Sequence, residues 1–140
     1  MNYKAILFYL GLFIFPLSGL AFLNILYSTY FDYFLSIDSY TVTFFLALVT
    51  GSFFCYYGKN SLKKINFYEQ LLLIILVYLM SSIFIALPYY LSNYQITFFD
   101  SVFESFSGIT STGFSIFENI KYLDPTLILW RSSSQWIGGL

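Results

Sequence analysis

Three apolar runs, each long enough to cross a lipid bilayer, leave this chain few possible folds. Ala5 to Phe31 contains no charged residue, with Lys4 before it and Asp32 after it. That suffices for one helix across a hydrocarbon core of about 30 Å. A second run extends from Ser39 to about Gly58, and a third from Gln70 to about Leu91 with Glu69 in its first turn. Composition points the same way: 59% of residues are hydrophobic and 9% charged, against about 25% charged in a soluble domain. The first run exceeds the 7–15 residues of a signal-peptide core and no small-x-small cleavage site follows it, so it reads as a retained helix.

The same composition removes several function classes. A net charge of -1 offers no basic surface to neutralise phosphates, so no nucleic-acid partner is expected. With no histidine and one cysteine, the chain has no internal disulfide, no His/Cys zinc cluster and no catalytic triad. Cys55 lies inside an apolar run and reads as a small buried hydrophobe. No pair of carboxylates flanks a candidate substrate cavity, so no enzyme activity and no covalently bound cofactor are expected.

Local signals divide the runs. Pro16 is expected to kink the first helix and Pro88 to loosen the last turn of the third. Asp38 or Ser39 is the expected cap of the second helix, and Gly51 with Ser52 would allow close helix contact. The one basic cluster, Lys59, Lys63 and Lys64, marks a cytoplasmic loop by the positive-inside rule, and Lys4 agrees, which puts the N-terminus inside. Tyr27, Tyr30, Tyr33, Tyr40, Tyr56, Tyr57, Tyr68, Tyr89, Tyr90 and Tyr94 fall where membrane interfaces would be. Residues 1–68 then form two N-terminal transmembrane helices and a basic loop, and residues 69–140 a separate unit.

That unit contains the most informative stretch, Thr97 to Ser115: T-F-F-D-S-V-F-E-S-F-S-G-I-T-S-T-G-F-S. Thr97 and Asp100 have capping-box spacing. Phe98, Phe99, Val102, Phe103 and Phe106 gather on one side of a short helix, and Asp100, Glu104 and Ser107 on the other. The phenylalanine side is expected to tuck among the long helices. Gly108 is read as its end, since Ile109-Thr110-Ser111-Thr112-Gly113 is too rich in hydroxyls and glycine to continue a helix. About 11 residues are too few to span a bilayer, so between spanning segments this reads as a re-entrant half-helix with a loop of exposed carbonyls, the way a cation filter is built. On spacing alone, an ordinary Ser/Thr/Gly surface turn is the favoured reading; the flanking apolar segments reverse it.

The string F-E-S-F-S-G-I-T-S-T-G, followed by D-P-T-L-I-L-W-R-S-S-S-Q-W-I-G-G-L, resembles the first pore loop and following helix of bacterial TrkH-type potassium transport subunits of the Trk/Ktr/HKT superfamily. The close match covers about the last third of the chain, and the earlier part matches in layout. In that family one polypeptide carries four consecutive helix–pore loop–helix units, each giving one filter strand with a key glycine. The resemblance therefore implies an all-α integral membrane protein with three transmembrane helices, a re-entrant pore half-helix and the start of a fourth transmembrane helix at Asp124-Pro125. It implies potassium as substrate and a bacterial inner-membrane, multi-pass location. The implied partners are three further pore units, a second copy of the chain, membrane lipid and a cytosolic nucleotide-binding regulatory subunit of the TrkA type. Pro125 to Leu140 rises roughly 24 Å, short of a full span, so the chain reads as an N-terminal fragment of a longer transporter. A non-transporting membrane scaffold or assembly protein is the alternative.

Under the first reading, backbone carbonyls of Thr110, Ser111, Thr112 and Gly113 supply one quarter of an ion-binding ring. Gly113 takes positive φ at no steric cost, although it also suits a simple turn. The last carbonyls of the half-helix point at the cation path, where its dipole favours positive charge. Asp100, Glu104, Glu118 and Asp124 are expected on the outer side, where they raise local cation concentration, although Glu118 and Asp124 equally suit plain loop positions. Arg131 lies at the depth of Glu104, and ionisable groups at such depth pair. An Arg131–Glu104 ion pair, with Gly108, would brace the filter; snorkelling of Arg131 to the interface is the competing reading.

Overall fold

A computed structural model describes residues 2–33, 36–59 and 65–139. Lys63 and Lys64 of the basic cluster, and Leu140, lie outside the described residues. The described residues form five α-helices in order: α1 Tyr3–Tyr30, α2 Ile37–Gly58, α3 Phe67–Tyr90, α4 Phe98–Ile109 and α5 Pro125–Gly138, with a 3-10 turn at Ile120–Tyr122. No strand occurs among the described residues. The first three helices are long and apolar enough to cross a membrane. Helix α1 runs unbroken through Pro16, and α3 through Pro88.

The helix starts show why these segments fold locally. Asn66 and Glu69 form a full capping box at α3, which fixes two otherwise orphaned amides. Glu69 also accepts the Asn2 backbone N–H at 2.5 Å, so one carboxylate ties the start of α1 to the start of α3. Asp124 caps α5 through the Thr126 N–H at 3.1 Å, with Pro125 at the first helical position. For α2 the expected cap is displaced. The N-cap is Ser36, with no side-chain cap bond, and Ser39 instead donates to the Ser36 carbonyl at 2.6 Å. The helix starts a residue before Asp38 because the backbone turn itself satisfies the first donors.

Helices α1 and α2 form a tight antiparallel pair, α3 packs on α1, and α4 lies between α3 and α5. Small residues set the first contact. A Cβ on Gly11 would come within 2.7 Å of the Gly51 carbonyl oxygen, and one on Gly58 within 2.5 Å of the Lys4 carbonyl. Cys55 fits the same seam, its Sγ 3.6 Å from the Phe8 carbonyl. Gly51 is buried as expected, while Ser52 faces outward.

Apolar residues fill the core around Ile14, Leu17, Ile85, Leu127 and Trp130 and also cover the outside. Phe45, Val49, Phe53 and Leu79 are exposed, whereas Asn24, Ser28, Thr43, Ser82, Ser101 and Ser105 are buried. Several buried hydroxyls close on their own helices, as Thr43 does on the Ser39 carbonyl at 2.8 Å and Ser101 on the Thr97 carbonyl at 2.9 Å. A lipid-solvated chain gains nothing by hiding apolar side chains from its solvent, so close contact between small residues decides the packing. Two tyrosines placed at interfaces by position belong to this interior. Tyr40 and Tyr89 are fully buried, Tyr40 bonded to Thr126 Oγ1 at 3.2 Å and packed on Trp130 at 5.7 Å between ring centroids.

Replacing Gly11 by valine should separate α1 from α2 and cost about 1–3 kcal/mol, the usual range for overpacking. Gly19, with nothing within 4 Å of its would-be Cβ, should accept the same change. Melting of the purified chain in detergent measures both; equal loss at the two positions would refute the seam.

Candidate functional site

Helix α4 begins on Thr97, whose Oγ1 accepts the Asp100 N–H at 3.2 Å and donates to the Asp100 carboxylate at 2.6 Å. The orientation of this helix corrects the sequence expectation. Ser101, Glu104, Ser105, Ser107 and Gly108 face inward, and Phe98, Phe99 and Phe103 are exposed. Of the apolar side, Phe99 and Phe103 stay outside, Phe98 lies edge-on to Tyr90 of α3 at 5.8 Å between ring centroids, and Val102 and Phe106 are half-buried. The close approach of α5 demands small side chains: a Cβ on Gly108 would meet Ser134 Oγ at 2.6 Å. Gly108 is thus a contact glycine inside the helix and not its terminator, and α4 continues to Ile109.

The helix closes in a Schellman motif. Ser111 N–H donates to the Gly108 carbonyl at 2.9 Å and Thr112 N–H to the Ser107 carbonyl at 3.0 Å. The residue that turns the chain is Ser111, at φ 54°, where glycine is usual and a side chain costs about 1–2 kcal/mol. Its hydroxyl donates to the Gln135 carbonyl on α5 at 2.9 Å, which holds the strained turn in place. Gly113 has positive φ as well, at 83°. The carbonyls of Phe106, Ser107 and Gly108 all receive loop amides, so they do not point at an open path as the sequence suggested. At the same level a Cβ on Gly138 would overlap the Ile109 carbonyl oxygen. Sequence reasoning gave Gly138 no role, although the Gly138-Gly139 pair was a visible sign of close backbone approach.

Beyond the turn, residues 113–116 are clamped by a buried ion pair. Arg131 Nε donates to Glu104 Oε1 at 2.6 Å, with the Glu104 side chain fully buried and that of Arg131 12% exposed. The Glu104 carboxylate also accepts the Ser115 hydroxyl at 3.0 and 3.1 Å and the Ile116 N–H at 2.9 Å. The guanidinium reaches on through Nη2 to the Gly113 carbonyl at 3.1 Å and the Phe114 carbonyl at 3.4 Å. Ser107 Oγ donates to the Phe114 carbonyl from the other side. Depth on two helices placed Arg131 against Glu104. The roles of Ser107 and Ser115 carried no such signal, because serine spacing alone does not distinguish a clamp from a helix surface.

No described group donates to the carbonyls of Thr110, Ser111 or Thr112. Thr110 to Phe114 are exposed, and a Cβ on Gly113 would meet nothing within 4 Å. Residues 110–113 therefore form a braced turn and loop in which three carbonyl oxygens receive no hydrogen bond from the described residues. Of the four acidic groups considered for a cation-attracting mouth, Asp100 and Glu118 are exposed. Glu104 is consumed by the clamp, and Asp124 is buried as the cap of α5, so neither faces a mouth.

No family model matches the sequence. Among curated proteins the chain is similar to an uncharacterized cation transporter of Methanocaldococcus jannaschii, at 33% identity over 103 residues, 70% of this chain and 22% of that protein. It is similar to the Trk system potassium uptake protein TrkH of Escherichia coli at 31% over 103 residues, 73% of this chain and 21% of that one. TrkI of Halomonas elongata is 38% identical over 73 residues, 52% of this chain and 15% of its own length. The chain spans about a fifth of the length of the first two.

Removing one partner of a buried pair strands the other charge, typically at about 3–5 kcal/mol. Glu104→Gln and Arg131→Gln should each lower the melting temperature of the purified chain, and the double variant should lose less than the sum. Strict additivity in that double-mutant cycle would deny the brace.

Proposed function

Because the chain is a TrkH-type sequence, we propose that it supplies a pore-loop unit of a monovalent-cation uptake protein, with potassium as the transported substrate. The observation that supports this most is the braced strand from Thr110 to Gly113. Its loop amides turn back into the α4 carbonyls while the strand's own oxygens at Thr110, Ser111 and Thr112 stay unengaged. A bare potassium ion needs such oxygens, held in place beforehand, to replace its water shell. One strand cannot encircle an ion, so three further units complete the ring. In this reading α4 is a re-entrant half-helix, α5 opens the fourth transmembrane segment, and the N-terminus is cytoplasmic.

The bracing explains how such a strand stays open. Glu104, Gly108 and Arg131 fix α4 against α5 from behind, so the strand need not fold onto itself to satisfy its amides. The α4 dipole leaves partial negative charge at its C-terminal turn, which favours a cation nearby. The outward phenylalanines Phe98, Phe99 and Phe103 suit contact with lipid or with neighbouring units. The inner membrane is the proposed location. A second copy of the full-length chain and a cytosolic nucleotide-binding regulatory subunit of the TrkA type are the proposed partners. No covalent cofactor enters the scheme.

The test is Gly113→Ala and Gly113→Val in the complete protein. Strain at φ 83° costs about 1–2 kcal/mol, and among the described residues nothing beyond the chain neighbours lies within 4 Å of the new Cβ, so the protein should still accumulate in the membrane. Rescue of growth at limiting potassium, or rubidium-86 uptake, should be lost. A membrane scaffold without transport would tolerate both changes, and unchanged uptake would leave that alternative standing.

A further inference from the structure

The contact between Arg131 and the Gly113 carbonyl has no place in a filter whose four oxygens all face the ion. A guanidinium donating at 3.1 Å occupies that oxygen with a positive charge, and such charge-assisted bonds are among the stronger ones in proteins. The same oxygen is not free to bind a dehydrated cation on its other face without bringing two positive charges close together. The neighbouring oxygens of Thr110, Ser111 and Thr112 carry no such donor. Resting on the reading of this strand as a filter segment, we propose that Arg131 is a positioning residue for specificity. It holds the Gly113 carbonyl away from the ion, so this unit contributes three oxygens where four stand in sequence.

The geometry requires arginine. Nε is committed to Glu104 at 2.6 Å while Nη2 reaches Gly113 and Phe114; two edges of one rigid plane serve two partners at once. Glu104 cancels the charge that would otherwise repel cations from behind the strand. A lysine keeps the charge partner of Glu104 but has no second edge. With Arg131→Lys the Gly113 carbonyl is released and free to swing inward around a smaller ion. The outer end of the ring then loses part of its discrimination against sodium.

Two measurements on the complete transporter decide this. In a structure determined with rubidium, the ion should be coordinated by the Thr110–Thr112 oxygens of this unit, with the Gly113 oxygen still on Arg131. Rubidium bound to the Gly113 oxygen with the arginine displaced would overturn the proposal. Rubidium on none of the four would defeat the filter reading itself, and the proposal with it. In uptake assays, Arg131→Lys should narrow the ratio of sodium to potassium KM by about tenfold, the scale of losing one charge-assisted hydrogen bond. Membrane abundance should be nearly normal. A merely structural arginine would lower abundance and maximal rate with the KM ratio unchanged, and that result would also overturn it.

Discussion

The arrangement of the last third of the chain depends on one buried carboxylate. Glu104 sits fully enclosed on α4 and gathers Arg131 from α5, the Ser115 hydroxyl and the Ile116 amide. Each contact answers a cost. A buried charge without a partner is prohibitive, and backbone amides of a segment outside helix and sheet must find acceptors. Because Glu104 meets both needs, the strand after the turn adopts an extended course with no sheet partner. The three oxygens that precede it are then left for something outside the chain.

The packing of α4 follows from the same constraint. A helix that brings a glutamate inward must also bring inward whatever lies one turn away on the same face. Here these are Ser101, Ser105, Ser107 and Gly108, small enough for α5 to approach until Gly108 nearly touches Ser134. The phenylalanines then face outward by default. In water such a helix would turn over, since exposing several aromatic rings costs more than hiding a few hydroxyls recovers. Next to lipid, or against further apolar helices, that preference vanishes.

This accounts for which features were legible in the sequence. Length and apolarity located α1, α2 and α3 to within a few residues, because spanning a bilayer is a requirement on each segment separately. The cap of α4 at Thr97, the start of α5 at Asp124-Pro125 and the positive φ of Gly113 were equally local, and the structure has all three. The facing of α4 was misread because the apolar stripe was assigned to the interior, a rule that holds where water is the surroundings. Tyr40 and Tyr89 turn inward, which the sequence did not reveal, because position along a helix gives depth but not azimuth. The cap of α2 was missed because Ser36 works through its backbone carbonyl, which every residue carries.

Ser111 shows what a sequence cannot reveal about such a turn. Of the candidates between Ile109 and Phe114, glycine at 113 was the obvious residue for a left-handed conformation, and it has one. The Schellman closure needed a second such residue two positions earlier, and serine stands there despite the strain. The compensation lies 24 residues away, where the Gln135 carbonyl accepts the Ser111 hydroxyl. Glycine would relieve the strain but give up that tether, leaving the loop held to α5 by Arg131. A serine therefore exchanges local ease for attachment to α5, the helix that also carries Arg131. Ser111 is tied to Gln135 and Gly113 to Arg131, so the Thr112 peptide between them is held at both ends against α5.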